Sequence, residues 1–237
     1  MKLNCILFCA FYLLTQTTFA QNQFQELSRL MTENKPIKSV AFQSDGSGIV
    51  LFGKNDFAYN GNIPEALTDQ MMTFINDDME VEEVILTEQG RWMLLIDGGQ
   101  GYISDGLHND PEQAYQVMFE WLNKFIDNGE VLVSVAFDDE GGWMVVTDKN
   151  FICSNVELMN KVSANFQTLG FPRGLAMCDG FQVVLHHYGY AMYGDNVNFE
   201  KLAYSLTNTK LDYWRIKVTP SGKYLYMDNE GSFIKNF

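Results

Sequence analysis

The sequence is poor in basic residues. It has 16 Lys and Arg against 30 Asp and Glu, a net charge of −14 over 237 residues. No basic helix and no stripe that mixes basic with aromatic residues offsets this charge. Because an acidic surface repels phosphate backbones and anionic membranes, we expect no nucleic-acid partner.

Long apolar runs are also missing. The longest, Cys5 to Leu14, has ten residues, whereas a spanning helix needs about 20, so we expect no membrane span. This run follows Lys2 and precedes the small residues Thr18 and Ala20, a layout typical of a secretory signal peptide. The sequence predicts a signal over residues 1–20, cleaved before Gln21, and export to the periplasm or the outside of the cell.

Cysteine is scarce. Two of the four cysteines lie in the predicted signal, which leaves Cys153 and Cys178 in the mature chain. In an oxidising compartment the two could pair as a disulfide. They could also be two buried free thiols, since Cys packs as a small apolar residue, and this second interpretation is favoured.

Signatures of catalysis are absent from the sequence. It contains no G-x-S-x-G, H-E-x-x-H, phosphate-loop or dinucleotide pattern, so no catalytic residue and no metal ligand is predicted. His186 and His187 are adjacent, and neighbours on an extended chain point to opposite faces, so the pair is poorly suited to ligate one metal. We interpret both as ordinary strand-end and turn residues.

What the sequence does contain is a unit repeated five times. The clearest copy, SVAFDDEGGWMVVTDKNFICSN at 134–155, has a strand, a glycine turn, an apolar strand, a second turn and a third strand. Related segments occur at 39–61, 83–105, 174–193 and 215–236. The second strands are continuous apolar runs, typical of strands covered on both faces. In three copies an alanine lies between the apolar residues of the first strand. Such a small side chain indicates that another part of the protein approaches that face closely, and these alanines would line the axial channel: Ala41, Ala136 and Ala176.

A helical pattern precedes each hairpin set. Asn62 is predicted to cap the second helix and Asn155 the fourth. Asp110 and Pro111 are predicted to open the third helix, with Val117 on its inward face.

The predicted architecture is therefore an α/β repeat. A unit this small cannot bury both sheet faces alone, so neighbouring units must stack. Neither terminal copy resembles a polar cap, which favours a closed ring without sheet edges. We predict one domain over residues 21–237, a five-fold closed propeller of helix-plus-three-antiparallel-strand units. The repeats span about 22–61, 62–106, 107–155, 156–195 and 196–237.

The V-A-F-x-x-x-G-G-W pattern resembles that of bacterial propeller-type repeat proteins. The five-fold mixture of one helix and three strands is similar to the pentein, or α/β-propeller, fold. That resemblance implies an enzyme with a late Cys nucleophile, an upstream His and acidic partners. Here the last cysteine is Cys178 and only His108 precedes it, so those catalytic residues carry over to no position.

Acidic residues recur in the first hairpin turn of four copies. In a closed ring these turns share one rim, where carboxylates could gather a basic partner or calcium. Asp is also a common turn former because its side chain bonds the nearby backbone, and this interpretation is favoured. The predicted acidic rim comprises Asp45, Glu88, Asp138, Asp139, Glu140 and Asp179.

The sequence thus favours an exported, non-enzymatic binding module. Its partner would be an extracellular or periplasmic protein or glycan, bound on one rim or in the axial channel. The alternative is a pentein-like enzyme with a Cys/His site. A deep axial pocket that holds a Cys or His beside carboxylates would favour the enzyme, whereas a shallow alanine-lined channel would favour binding.

Overall fold

The computed structural model describes residues 19–105, 115–194, 199–209, 213–228 and 230–237. Six helices lie in these ranges: α1 (19–33), α2 (Glu65–Asn76), α3 (Gln116–Asp127), α4 (Val156–Ala164), α5 (Phe166–Leu169) and α6 (Glu200–Asn208). A 3-10 turn spans Asp97–Gly99. None of the helices in the described residues is long and apolar enough to cross a membrane.

Fifteen strands make five separate sheets of three, each paired antiparallel in chain order. Sheet one holds β1 (Ile37–Phe42), β2 (Gly48–Phe52) and β3 (Asp56–Asn60), and sheet two holds β4 (Val81–Leu86), β5 (Trp92–Ile96) and β6 (Gly101–Ser104). Sheet three holds β7 (Leu132–Phe137), β8 (Trp143–Thr147) and β9 (Phe151–Cys153), and sheet four holds β10 (Pro172–Cys178), β11 (Phe181–His186) and β12 (Gly189–Tyr193). Sheet five holds β13 (Tyr213–Val218), β14 (Tyr224–Asp228) and β15 (Phe233–Lys235).

The hairpin alignment is confirmed by the backbone. All five first turns hold a glycine at positive φ, a conformation that a side chain disfavours: Gly46, Gly90, Gly141, Gly180 and Gly222. The middle strands β2, β5, β8, β11 and β14 are buried along most of their length, as continuous apolar runs require.

A β-bulge recurs near the start of every first strand. In sheet one, Ile37 pairs with Phe52 and Ser39 with Leu51, so two residues of β1 advance against one of β2. The same one-residue shift precedes the equivalent position of the other four sheets. These equivalent positions are Ser39, Glu83, Ser134, Gly174 and Arg215.

Each helix packs where two consecutive sheets face each other. Leu67, Met71 and Phe74 of α2 share one apolar cluster with β2 of sheet one and with β4 and β5 of sheet two. The helices α3, α4 and α6 occupy the same place between sheets two and three, three and four, and four and five. Helix α1 fills the remaining position, since Leu27 and Met31 pack with Val40 of β1 and with Met227 of β14.

Repeat five therefore contacts repeat one. The first strands meet in cyclic order, and β13 also touches β1, where Arg215 Nε donates a hydrogen bond to Lys38 O over 3.0 Å. The five sheets fit a five-fold, propeller-like repeat. No sheet in the described part of the chain closes on itself, and every one is a separate three-stranded unit.

The structure corrects three details. Asn62 does not cap α2, because the N-cap is Pro64, which has no side-chain cap bond. Val117 is half exposed rather than inward, since α3 turns Met118 and Leu122 to the core. Asn155 caps α4 as predicted, with its side chain accepting from Leu158 N. The predicted opening of the third helix at Asp110 and Pro111 lies outside the described residues.

The third correction concerns the alanines. Ala41, Ala136 and Ala176 are buried in the apolar clusters between successive sheets, and they line no channel. In these three repeats the adjacent sheet packs against the alanine, while the equivalent position of repeat two holds the larger Ile85, also buried between sheets. The close approach was predicted correctly, but the neighbour that makes it is the next sheet.

Candidate functional site at the acidic rim

The candidate site lies at the end of the molecule that carries the first hairpin turns. A cavity of about 30 Å³ there is lined by residues of all five repeats, including Phe42, Leu86, Phe137, Met177 and Val218. A water molecule occupies about 30 Å³ in the liquid, so the cavity holds one or two water molecules or an ion. Four of the predicted rim residues belong to its lining: Glu88, Asp138, Asp139 and Asp179.

Glu88 joins the turns of repeats one and two. Its carboxylate accepts hydrogen bonds from Ser44 N, at 2.9 and 3.1 Å, and from Ser44 Oγ at 3.1 Å. In the opposite direction, Gln43 Nε2 donates to Thr87 O at 2.7 Å and to Glu88 O at 3.0 Å. These bonds satisfy turn donors and fix the two turns side by side.

Asp139 makes the same kind of bridge between repeats two and three. Its Oδ1 accepts from Thr87 Oγ1 at 2.5 Å, and its Oδ2 accepts from Gln89 N at 3.0 Å. Two successive turn contacts of the ring thus use a carboxylate from the later repeat to hold the turn of the earlier one.

The remaining rim carboxylates act locally or face outward. Asp45 accepts from Ser47 N and Ser47 Oγ within its own turn. Asp138 accepts from Glu140 N at 3.1 Å and Gly142 N at 2.8 Å. Asp179 has a positive φ of 41°, which Asp tolerates better than most residues. The turn-former interpretation therefore holds for Asp45 and Asp138, while Glu88 and Asp139 bridge repeats.

The rim is electrostatically strained. Burial raises the pKa of the Asp138 carboxyl, and the neighbouring Glu140 and Asp139 raise it further. The pKa of Glu88 is raised by partial burial and by Asp45 and Asp139, although its bonds to Ser44 counteract this. Because mutual repulsion disfavours the charged forms, a cation placed at the rim would relieve the strain.

Cys178 lies within this cavity, next to the carboxylates that the enzyme hypothesis requires. Burial, with Asp179, Glu88 and Asp138 nearby, raises the pKa of its thiol to about 12. A nucleophilic cysteine needs the opposite shift, since the thiolate is the reactive form. Burial, and to a smaller extent these carboxylates, therefore keeps the thiol in its unreactive protonated state.

The histidines do not activate it. His186 is buried, its Nδ1 lies 2.8 Å from Gly170 O, and desolvation lowers its pKa, so it stays neutral. His187 is exposed beside Tyr188. His108 lies outside the described residues. Within the described ranges, no group of three His, Cys, Asp or Glu side chains is arranged to hold a metal ion.

Cys153 and Cys178 are both buried free thiols in the structure. Cys153 packs between sheets three and four, whereas Cys178 packs between sheets four and five. The aromatic residues that recur at the head of the second strand, Trp92, Trp143 and Tyr224, are buried and offer no exposed platform.

A buried charged cluster joins repeats two and five, and the sequence did not predict it. Glu83 is 1% exposed, and its Oε1 accepts from Lys217 Nζ at 3.0 Å. Its Oε2 lies 3.3 Å from Arg215 Nη1, without the geometry of a hydrogen bond. Glu83 belongs to repeat two and both cations to repeat five, so the contact crosses the axis beside repeat one.

The sequence feature that could have revealed this cluster was the position of its residues within the repeat. Residues 39, 83, 134, 174 and 215 share one repeat slot, and two of the five carry opposite charges. The others are small: Ser39 Oγ and Ser134 Oγ accept from Val84 N and Leu175 N of the next repeat, and Gly174 faces Trp214 O.

Comparisons with known proteins give no family. No protein-family model matches the chain, and no curated protein matches it. A solved structure described as "YCF48 bound to D1 peptide" is 14% identical, with a TM-score of 0.28, and the match covers 85% of this chain. The chain spans 63% of the length of that protein. A TM-score this low supports no argument about fold or function, so both rest on the geometry described above.

Proposed function

We propose that the protein is an exported, non-enzymatic binding module, a closed five-fold propeller that binds a positively charged segment of a protein partner on its acidic rim. The observation that carries this proposal is the convergence of carboxylates from three successive repeats around the mouth of a cavity that all five repeats line. Among the residues that the structure describes, no basic side chain lines that cavity.

The other candidates are less well supported. Aromatic rings repeated around a rim would favour a glycan partner, but Trp92, Trp143 and Tyr224, which recur at the head of the second strand, are buried. A calcium ion would need several oxygen ligands in one place, and the rim carboxylates are divided between separate turns. The pentein-like enzyme would need a reactive Cys178, whose thiol pKa is about 12.

The test is binding of a fluorescein-labelled hexalysine peptide, followed by fluorescence anisotropy in low and in physiological salt. We expect weaker binding in salt, because screening shortens to about 8 Å at physiological ionic strength. The triple variant Asp138→Asn, Asp139→Asn, Glu140→Gln should weaken binding about tenfold, because it removes three charges of the rim. Asp139 accepts through both carboxylate oxygens and an amide keeps only one acceptor, so thermal unfolding of the variant is measured beside the anisotropy.

A matched control removes three charges elsewhere. Glu65, Asp69 and Asp77 are exposed on or beside α2. Their replacement by Gln, Asn and Asn changes the net charge equally, and we expect peptide affinity to change less than about twofold. Equal weakening by both triple variants would show a general charge effect and would contradict a rim site. A rise in melting temperature on addition of millimolar calcium would support the ion alternative.

A further inference from the structure

A groove of about 700 Å³ opens where repeat five meets repeat one, on the same side as the rim. Its walls include Phe24 and Gln25 of α1, Ser44 of the first turn of repeat one, Ser221 and Lys223 of repeat five, and Phe237. Ligand pockets in proteins have volumes of about 300–1,000 Å³, so the groove is large enough for a bulky side chain and its backbone.

One aromatic ring of the groove lining, that of Phe237, is partly exposed, whereas Phe24 is buried at 6% exposure. The ring centroids of Phe24 and Phe237 are 4.8 Å apart, and Lys223 Nζ lies 5.5 Å from the Phe24 centroid. Such a surface favours burial of a large apolar group, and an aromatic ring gains additional energy from packing against other rings.

The groove is continuous with the acidic rim. Ser44 forms part of its wall, and the same residue donates from its N and Oγ to the carboxylate of Glu88. Repeat five has Pro220 and Ser221 where the other repeats have an acidic residue, so the rim charge ends where the groove begins. One face of the molecule therefore offers carboxylates and, directly beside them, an aromatic recess.

The charge around the groove is unequal. Carboxylates lie beyond the Ser44 wall, whereas Lys223 lies on the wall of repeat five. A ligand in the groove would bind more tightly if its own cationic groups lay on the Ser44 side, and more weakly if they lay next to Lys223.

We propose that the groove binds one large apolar or aromatic side chain of the partner segment, while basic residues to one side of that anchor lie on the acidic rim. This inference rests on the proposed function and specifies its ligand as a basic segment with a single apolar anchor. Burial of the anchor would supply affinity, and the rim would supply orientation and salt dependence.

The test uses the exported chain, residues 21–237, and three labelled peptides: Lys-Lys-Gly-Phe-Gly, the same peptide with Ala in place of Phe, and the same peptide with Glu in place of both Lys. We expect the Phe peptide to bind about tenfold more tightly than the Ala peptide, because only the former buries an aromatic ring. The Glu peptide should not bind.

Two variants locate the anchor. Gln25 is exposed and lines the groove, so Gln25→Trp should fill the recess without removing a buried contact. It should reduce affinity for the Phe peptide to that for the Ala peptide and leave the Ala peptide unaffected. Asn22 is exposed on the same helix and is not part of the groove lining, so Asn22→Trp should change neither affinity.

The outcomes separate this inference from the proposed function. Equal binding of the Phe and Ala peptides overturns the anchor groove and leaves the acidic rim in place. Failure of both lysine peptides to bind overturns the rim and the groove together. If Gln25→Trp changes self-association in sedimentation experiments but not peptide binding, the groove serves a second copy of the chain, and the peptide proposal is wrong.

Discussion

Removal of the Glu83 carboxylate should destabilise the whole ring rather than one repeat. Glu83 is 1% exposed, while the side chains of its partners Arg215 and Lys217 are 13% and 14% exposed. Glu83→Ala leaves two cations near the axis without their carboxylate. Because the contact joins repeat two to repeat five, its loss should weaken the closure that holds the five sheets together.

The expected loss of unfolding free energy in Glu83→Ala follows from the burial of the charged residues. Breaking a buried ion pair by removing one partner costs about 3–5 kcal/mol, and the slight exposure of both cations places this case near the lower end. Domains are stable by about 5–15 kcal/mol, so the variant should unfold at clearly lower urea concentration. Replacing all three charged residues with Met should recover part of the loss, since no uncompensated charge is then buried.

A double-mutant cycle isolates the interaction. Glu83→Gln and Lys217→Met, measured singly and together by urea unfolding, should couple by about 1–3 kcal/mol. The exposed pair Lys54–Asp78, with Nζ and Oδ1 2.7 Å apart, is the matched control and should couple by less than about 1 kcal/mol. Additive effects of Glu83→Gln and Lys217→Met would mean that the two residues do not interact, which would contradict the contact between repeats two and five.

Three other measurements probe the fold and the rim. The pKa of the Asp138 carboxyl is raised above its ordinary 3.8, so the folded state binds that proton more tightly than the unfolded state does. The bound proton therefore stabilises the folded wild type at low pH, and this stabilisation is lost as the pH rises from below 3.8 through the folded pKa. Asp138→Asn lacks this proton, so its free energy of unfolding in urea should increase relative to that of wild type over the same pH range. A relative decrease would contradict the burial argument. Gly99→Ala should cost clearly more than Gly98→Ala in thermal unfolding, because a Cβ at Gly99 would lie 2.1 Å from Leu132 O, whereas none at Gly98 meets an atom within 4 Å. Thiol titration should detect Cys153 and Cys178 only after denaturation, and two unreactive cysteines in the denatured, unreduced protein would instead indicate a disulfide.

The repeat was predictable because its signals are local. A glycine at the same place in each first turn and an apolar second strand are dictated by backbone conformation and by burial on two faces. The shared rim follows from the same alignment, since equivalent turns of a ring must face the same way. The repeat alignment therefore predicts from the sequence alone that Glu88, Asp138 and Asp139 lie near one another, and all three line the rim cavity.

The axis was not predictable to the same extent. A bulge shifts the register of each first strand, and a one-residue shift changes which side chains face inward. That bulge lies before Glu83, and the pairing from Glu83 to Leu86 is regular, so alternation does place Glu83 on the face of Ile85. The contact of Glu83 with Lys217 was missed because it depends on how separate repeats pack, which no local pattern shows. The alanines were assigned to a channel lining for a related reason. A small residue indicates that another part of the protein lies close to it, but does not show which part.

The groove between repeats five and one also escaped the sequence interpretation. Its aromatic lining joins Phe24, near the start of the described chain, to Phe237 at its other end, and no local pattern connects them. Only the packing of α1 against sheet five brings the two rings together.

The most direct test of the central claim is hydrogen–deuterium exchange of the protein with and without the Lys-Lys-Gly-Phe-Gly peptide at saturating concentration. If the acidic rim is the binding surface, bound peptide should slow exchange in the first hairpin turns, at residues 43–47, 87–91 and 138–142, and leave the second turns at the opposite ends of the strands unchanged. Slower exchange confined to the second turns, or to neither set, would contradict a rim that binds basic segments.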